Sequence, residues 1–120
     1  MQAETKSYEG SCHCGAVRYR TRVDLDRLIT CNCSICSRTG AILGFVPSSA
    51  FELLAGEEAL RDYQFGPKRI HHLFCGICGI RPFARGRDPE GNEIVAVNVR
   101  CLEGVDLAAL RPTPVDGKSL

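Results

Sequence analysis

Cys12-His13-Cys14-Gly15 and, far along the chain, Cys75-Gly76-Ile77-Cys78-Gly79 are the stretches that decide how this sequence is read. In each, two thiols flank a tight turn, and the glycine after the second cysteine permits the left-handed backbone such a turn needs. A turn of this kind aims backbone N–H groups at the sulfurs. Together the two knuckles bring Cys12, Cys14, Cys75 and Cys78 from opposite ends of the chain, the donor set of a closed tetrahedral zinc site made of four thiolates. Zinc there would be structural. It ties residue 12 to residue 78 and, in a chain with no Trp and few aromatics, supplies much of the folding free energy.

Between the knuckles lies Cys31-Asn32-Cys33-Ser34-Ile35-Cys36, three thiols in one short segment. Three ligands leave zinc a fourth position, and an open position separates a catalytic zinc from a structural one. Other readings stand beside this one. Cys101, His13, His71 or His72 could close the shell, or the cluster could act in redox chemistry without metal. Cys101 falls on the face of Val95, Val97 and Val99, where a small core residue is expected. His71 and His72 are adjacent in an expected strand, so they point to opposite faces and at most one reaches any given site.

The rest of the sequence fits a mainly β protein. Val17, Tyr19 and Val23 alternate with Arg18, Arg20 and Arg22, the period of a half-buried strand over Ala16–Val23 with a solvated basic face. Further strands are expected at Leu28–Cys31, Ile42–Val46, Phe51–Leu54 and Ile94–Cys101, with a hairpin of Leu60–Phe65 and Arg69–Phe74 around Gly66-Pro67. Asp88–Asn92 reads as a loop, and short helical turns are expected after Ser34 and over Asp106–Leu110. Arg111–Leu120 holds little that packs, so a loosely ordered tail is expected unless it docks. With 120 residues, 44% of them hydrophobic, the chain suits one domain over 1–120 with a core at about 8–105.

Charge narrows the function classes. Fifteen Lys and Arg against fourteen Asp and Glu leave a net +1, without the basic footprint of a nucleic-acid binder. No apolar run approaches the roughly 18–20 residues that cross a bilayer, and Met1–Gly10 has no apolar signal core. A cytoplasmic protein with no nucleic-acid or membrane partner is the expectation. In that compartment eight cysteines stay reduced, and their tight clusters favour metal over a disulfide scaffold. Exposed strand edges often pair, which leaves a homodimer open.

The quoted motifs, taken in order with Ser11–Tyr19, Cys31–Gly40, Phe74–Gly79 and Val97–Glu103, resemble the glutathione-dependent formaldehyde-activating enzyme (GFA) family, whose domain also occurs in centromere protein V. The resemblance covers roughly residues 8–105 and implies a β-tent fold of antiparallel sheets with zinc-binding knuckles. It also implies two zinc ions per chain. Cys12, Cys14, Cys75 and Cys78 match the structural ligands, and Cys31, Cys33 and Cys36 the catalytic ones. The implied activity is that of a carbon–sulfur lyase on a thiol–aldehyde adduct such as S-(hydroxymethyl)glutathione, with a small thiol, glutathione among them, as partner. Substrate thiol would enter the fourth zinc position as thiolate. Arg38, two residues past the triad, could pair with a substrate carboxylate. The chain departs from the family pattern at Ile80-Arg81-Pro82, where a small polar residue is expected first, and lacks centromere protein V's basic tail. A zinc-stabilised, non-catalytic binding module is the alternative.

Overall fold

Period-two burial organises the molecule. The computed structural model describes residues 6–119; positions 1–5 and 120, the ends of the expected 1–120 domain and part of the expected signal-free N-terminus, lie outside the described residues. Strand β1 (Lys6–Ser11) pairs antiparallel with β2 (Arg18–Val23), and β2 with β5 (Phe51–Ala55). In β2, Tyr19, Thr21 and Val23 are buried, while the alternating arginines lie in solvent. Two of them pair with acids, Arg18 with Glu9 and Arg20 with both Glu9 and Glu52.

The second sheet has seven strands in the order β10-β3-β4-β9-β8-β7-β6. These are β3 (Leu28–Cys31), β4 (Leu43–Pro47), β6 (Leu60–Tyr63), β7 (His71–Cys75), β8 (Phe83–Arg87), β9 (Glu93–Asn98) and β10 (Thr113–Val115). All pairings are antiparallel except that of β10 with β3. One face of this sheet supplies Leu28, Val46, Phe83, Val95 and Val97 to the core, where they meet Val17, Tyr19 and Val23. Rings of Tyr19, Phe51 and Phe83 pack at centroid separations of 4.6–5.7 Å and knit the two sheets together. Tilted and offset ring packing of this kind adds to the area they bury.

Most expected strands are present, with differences at their ends. The strand expected over Ile94–Cys101 stops at Asn98, and Val99–Cys101 forms a 3-10 turn. The Asn98 side-chain oxygen accepts the Arg100 N–H at 3.2 Å, satisfying a donor the turn would otherwise orphan. Cys101 therefore leaves the buried face of Val95 and Val97 and sits half-buried. In the hairpin β6 and β7 are shorter than expected, since the chain around Gly66-Pro67 makes its own turn, closed by Lys68 N–H to Phe65 O. Strands β1, β8 and β10 carry no periodic apolar signal of their own and emerge only through pairing. Helix α1 (Cys36–Thr39) follows Ser34 as expected, and Leu107–Ala109 forms a 3-10 turn. The tail docks: Val115 pairs with Cys31, and Asn32 grips the chain beyond it through Asp116 and Lys118. Among the described residues no helix is long and apolar enough to cross a membrane.

Candidate metal centres

The first centre is built where the two sheets meet. Its N-terminal knuckle joins β1 to β2, and its second follows β7 in the larger sheet. In both, the leading cysteine donates its N–H five residues ahead, Cys12 to Val17 O at 3.1 Å and Cys75 to Ile80 O at 2.8 Å. Both turns use glycine at positive φ, 82° at Gly15 and 83° at Gly79, a conformation that L side chains resist. N–H groups point at sulfur as expected: Val17 donates to Cys12 Sγ at 3.3 Å and Ile77 to Cys75 Sγ at 3.4 Å.

Cys12, Cys14, Cys75 and Cys78 converge, with all four sulfurs within 4.8 Å of one another. Cys14 Sγ lies 3.6 Å from Cys12 Sγ and 3.7 Å from Cys75 Sγ. A tetrahedron with zinc–sulfur bonds of about 2.3 Å has an edge of about 3.8 Å, so these separations fit a zinc-sized ion. They are far from the roughly 2.05 Å of a disulfide, and all eight cysteines are free. Hydrogen bonds from Ile80 and Cys14 N–H draw the Cys78 thiol down to about 6. Cys14 goes the other way: the Ala16 N–H favours its thiolate, but burial and the neighbouring thiols push it up to about 11. The two thiols are thus pushed in opposite directions.

The second centre is local. Cys31 ends β3, Cys33 lies in the turn and Cys36 opens α1, and their sulfurs also lie within 4.8 Å of one another. The Ser37 N–H closes the turn on Cys33 O at 2.9 Å. Burial opposes ionisation of Cys33 more than any other single influence, but N–H groups of Cys36 and Ile35 with the thiols of Cys36 and Cys31 outweigh it and lower its pKa. Cys36, desolvated and facing Cys33, is pushed up to about 12.

Among the described residues no fourth Cys, His, Asp or Glu joins this triad. Cys101, one of the residues that could have closed the shell, stands beside the first centre instead. Burial and the nearby Cys12 and Cys78 raise its thiol to about 11. His13 is exposed at the first knuckle, and His71 turns away to Asp62, Nδ1 to Oδ2 at 2.7 Å. His72 points to the opposite face, as adjacent strand residues must. It stacks on Phe65 with ring centroids 5.2 Å apart, and burial lowers its pKa.

The triad sits at the edge of a cavity of about 440 Å3 on the sheet face turned away from the core. His72, weighed from the sequence as a fourth ligand, lines it too, as does Arg81, which the sequence reading did not mark as a site residue. The one sequence signal for Arg81 was its place just after the knuckle glycine, where the expected pattern broke. Gly117 in the tail presses against the cluster: a Cβ there would run into Cys31 Sγ and reach 3.4 Å from Cys33 Cβ. Arg38 lies outside this cavity, at a neighbouring cleft it shares with Arg81, Tyr63 and Phe65. Its guanidinium donates back to Ser34 O at 2.6 Å.

A β scaffold with a two-turn tetrathiol centre and a separate trithiol centre beside a cavity defines a class of cysteine-rich metal-binding proteins. Residues 7–114 match the family described as glutathione-dependent formaldehyde-activating enzyme, and the chain belongs to that family. A crystal structure of a Rhodobacter sphaeroides protein is similar, with a TM-score of 0.79 and 36% sequence identity. That similarity covers 88% of this chain and 97% of the other. The expected fold is the observed one: mainly β, of antiparallel and mixed sheets, with cysteine clusters compatible with zinc knuckles.

Proposed function

We propose that this protein is a zinc-dependent carbon–sulfur lyase acting on a thiol–aldehyde adduct, with S-(hydroxymethyl)glutathione as the example the family description supports. The observation that carries the reading is the contrast in ligand count: four sulfurs at one centre, and at the other three sulfurs facing a cavity. Cys12, Cys14, Cys75 and Cys78 hold a structural zinc, and Cys31, Cys33 and Cys36 a catalytic one. When bound, the second zinc supplies a Lewis acid that lowers the pKa of a thiol.

In the cleavage direction the adduct hydroxyl gives up its proton, the carbon–oxygen bond becomes a carbonyl and the carbon–sulfur bond breaks. Sulfur keeps the electron pair and leaves as thiolate, and the released proton balances the charge in solution. The reverse reaction adds thiolate to aldehyde. The protein's own part is to exclude water with the apolar walls, to orient the sulfur at the triad and to meet substrate charge with Arg38 at the rim. The whole chain acts as one domain in this scheme.

Native mass spectrometry of reduced, metal-replete protein, with and without millimolar glutathione, tests the reading together with an assay of formaldehyde release. Two zincs per chain are expected, with turnover lost in Cys33→Ser while circular dichroism stays native. One zinc, no thiol adduct and no turnover would replace the lyase with a zinc-stabilised binding module.

A further inference from the structure

The walls of the triad's cavity say which kind of thiol it takes. Its volume of about 440 Å3 far exceeds what a one-carbon aldehyde fills, given that a water molecule occupies about 30 Å3. Most of that space therefore belongs to the thiol. Ile29, Leu43, Phe45, Phe65, Ile70 and Val115 form an apolar lining. Phe45 and Ile70 are 54% and 48% exposed, and both also line an adjoining cleft, where the apolar floor runs on through Ala84, Ile94 and Ala96 and ends at Arg85, Arg87 and Asp88.

Among the described residues Arg81 is the one that lines the cavity with a permanent charge. It is half-buried, and among the described residues no carboxylate lies within ion-pair distance of its guanidinium. No Asp or Glu among the described residues lines the cavity. Burial, with the Arg81 guanidinium nearby, lowers the His72 pKa and so favours its neutral imidazole. Glutathione carries two carboxylates and an ammonium group. Inside this cavity the ammonium finds no acidic partner, and of the two carboxylates only one can sit on Arg81, the other having to reach out of the cavity to Arg38 in the neighbouring cleft; a desolvated charge without a partner is costly.

We infer that the thiol of this site is a predominantly apolar molecule with a single anionic group, the anion seated on Arg81 and the sulfur at Cys31, Cys33 and Cys36. This rests on the reading of the trithiol centre as a thiol-adduct site and narrows its substrate class away from glutathione. Arg81 offers a planar fork of donors that takes a carboxylate through two parallel hydrogen bonds. The apolar body lies on the floor between Phe45 and Ile70.

Isothermal titration calorimetry on the zinc-loaded chain separates the possibilities with three probes: mercaptohexanoic acid, mercaptohexanol and glutathione. Mercaptohexanoate should bind at least about tenfold tighter than glutathione, the cost to glutathione of bringing unpartnered charges into the cavity. Arg81→Gln should remove about that factor for mercaptohexanoate and leave mercaptohexanol unchanged, while Arg81→Lys retains part of it. Zinc content and thermal melting of both variants should match the parent. Glutathione binding tightest, or Arg81→Gln weakening both six-carbon probes alike or releasing zinc, would overturn the assignment. The two readings fail separately. If the predicted order holds but the formaldehyde adducts of both thiols go uncleaved, the substrate class stands and the lyase falls. If the glutathione adduct is cleaved and glutathione binds best, the lyase stands and this inference falls.

Discussion

The two cysteine centres share an element and differ in everything that surrounds it. The Cys12/Cys14/Cys75/Cys78 centre draws its ligands from both sheets, so a metal there fastens one sheet to the other. Cys31, Cys33 and Cys36 come from the end of one strand and the turn after it, and a metal there fastens only a local loop. Long-range closure acts on stability, because it removes freedom from the unfolded chain. A centre of three thiols leaves zinc a fourth position, which suits the catalytic role proposed for it. Ligand count and sequence separation together, more than residue type, assign a role to a thiol cluster.

Removing one ligand from the first centre tests this contrast most severely. A structural zinc is worth on the order of 10–16 kcal/mol, against about 5–15 kcal/mol of total stability for a typical domain. Cys78→Ser should therefore unfold the chain, seen as loss of β circular dichroism and of the cooperative melt. A folded Cys78→Ser variant with native melting would make the two centres equivalent. Chelation with a strong zinc ligand should reproduce the unfolding.

Gly117→Val probes the local centre from the tail. Its branched side chain would push on Cys31 Sγ and displace the docked strand. Second-site zinc affinity should fall by about 10–100-fold, the scale of losing support around a metal ligand, with the melt largely kept. Equilibrium dialysis against a zinc buffer measures it. Unchanged affinity would mean the tail only rests on the site.

Proton release distinguishes the centres further. Backbone N–H groups draw the Cys78 thiol down to about 6, whereas burial and neighbouring thiols push Cys14 up to about 11 and Cys36 up to about 12. Filling each centre must expel at least one proton, so apparent zinc affinity at both falls as pH is lowered. Unbuffered titration of the reduced, metal-free chain with zinc at pH 7 should acidify the solution. A pH-independent affinity between about pH 6 and 8 would contradict the thiol assignments.

The smallest effect is expected at the rim. Arg38 sits in solvent on its own helical turn, and Arg38→Gln removes the bond to Ser34 O, worth about 1 kcal/mol at most. Both zincs should remain, with KM for an anionic adduct raised modestly and kcat unchanged. A large kcat loss would move Arg38 from the rim into the reacting centre.

Much of this was legible from spacing. Cys12/Cys14 and Cys75/Cys78 announced a shared centre because each pair is backed by a glycine that the structure uses at positive φ. The alternation of β2 was equally plain, since arginines and buried residues take turns along it. Strands β1, β8 and β10 were hidden because their sequences are polar, short or interrupted, and pairing with neighbours decides them. Cys101 was misplaced for a related reason. Strand period put it on a core face, but the Asn98 side chain ended the strand first.

Local pattern was enough to set the cysteine grouping, the mainly β character and the family, because metal-ligand turns and strand periodicity are written in neighbouring residues. Assembly of the sheets was needed for the rest: the trithiol centre recruits no fourth protein ligand among the described residues, the tail closes over it, and Arg81 lies in an apolar cavity. Those facts depend on which distant segments come within a few ångströms of one another. Residues 31, 81 and 117 meet only when the sheet is assembled, and nothing in their local sequence encodes that meeting.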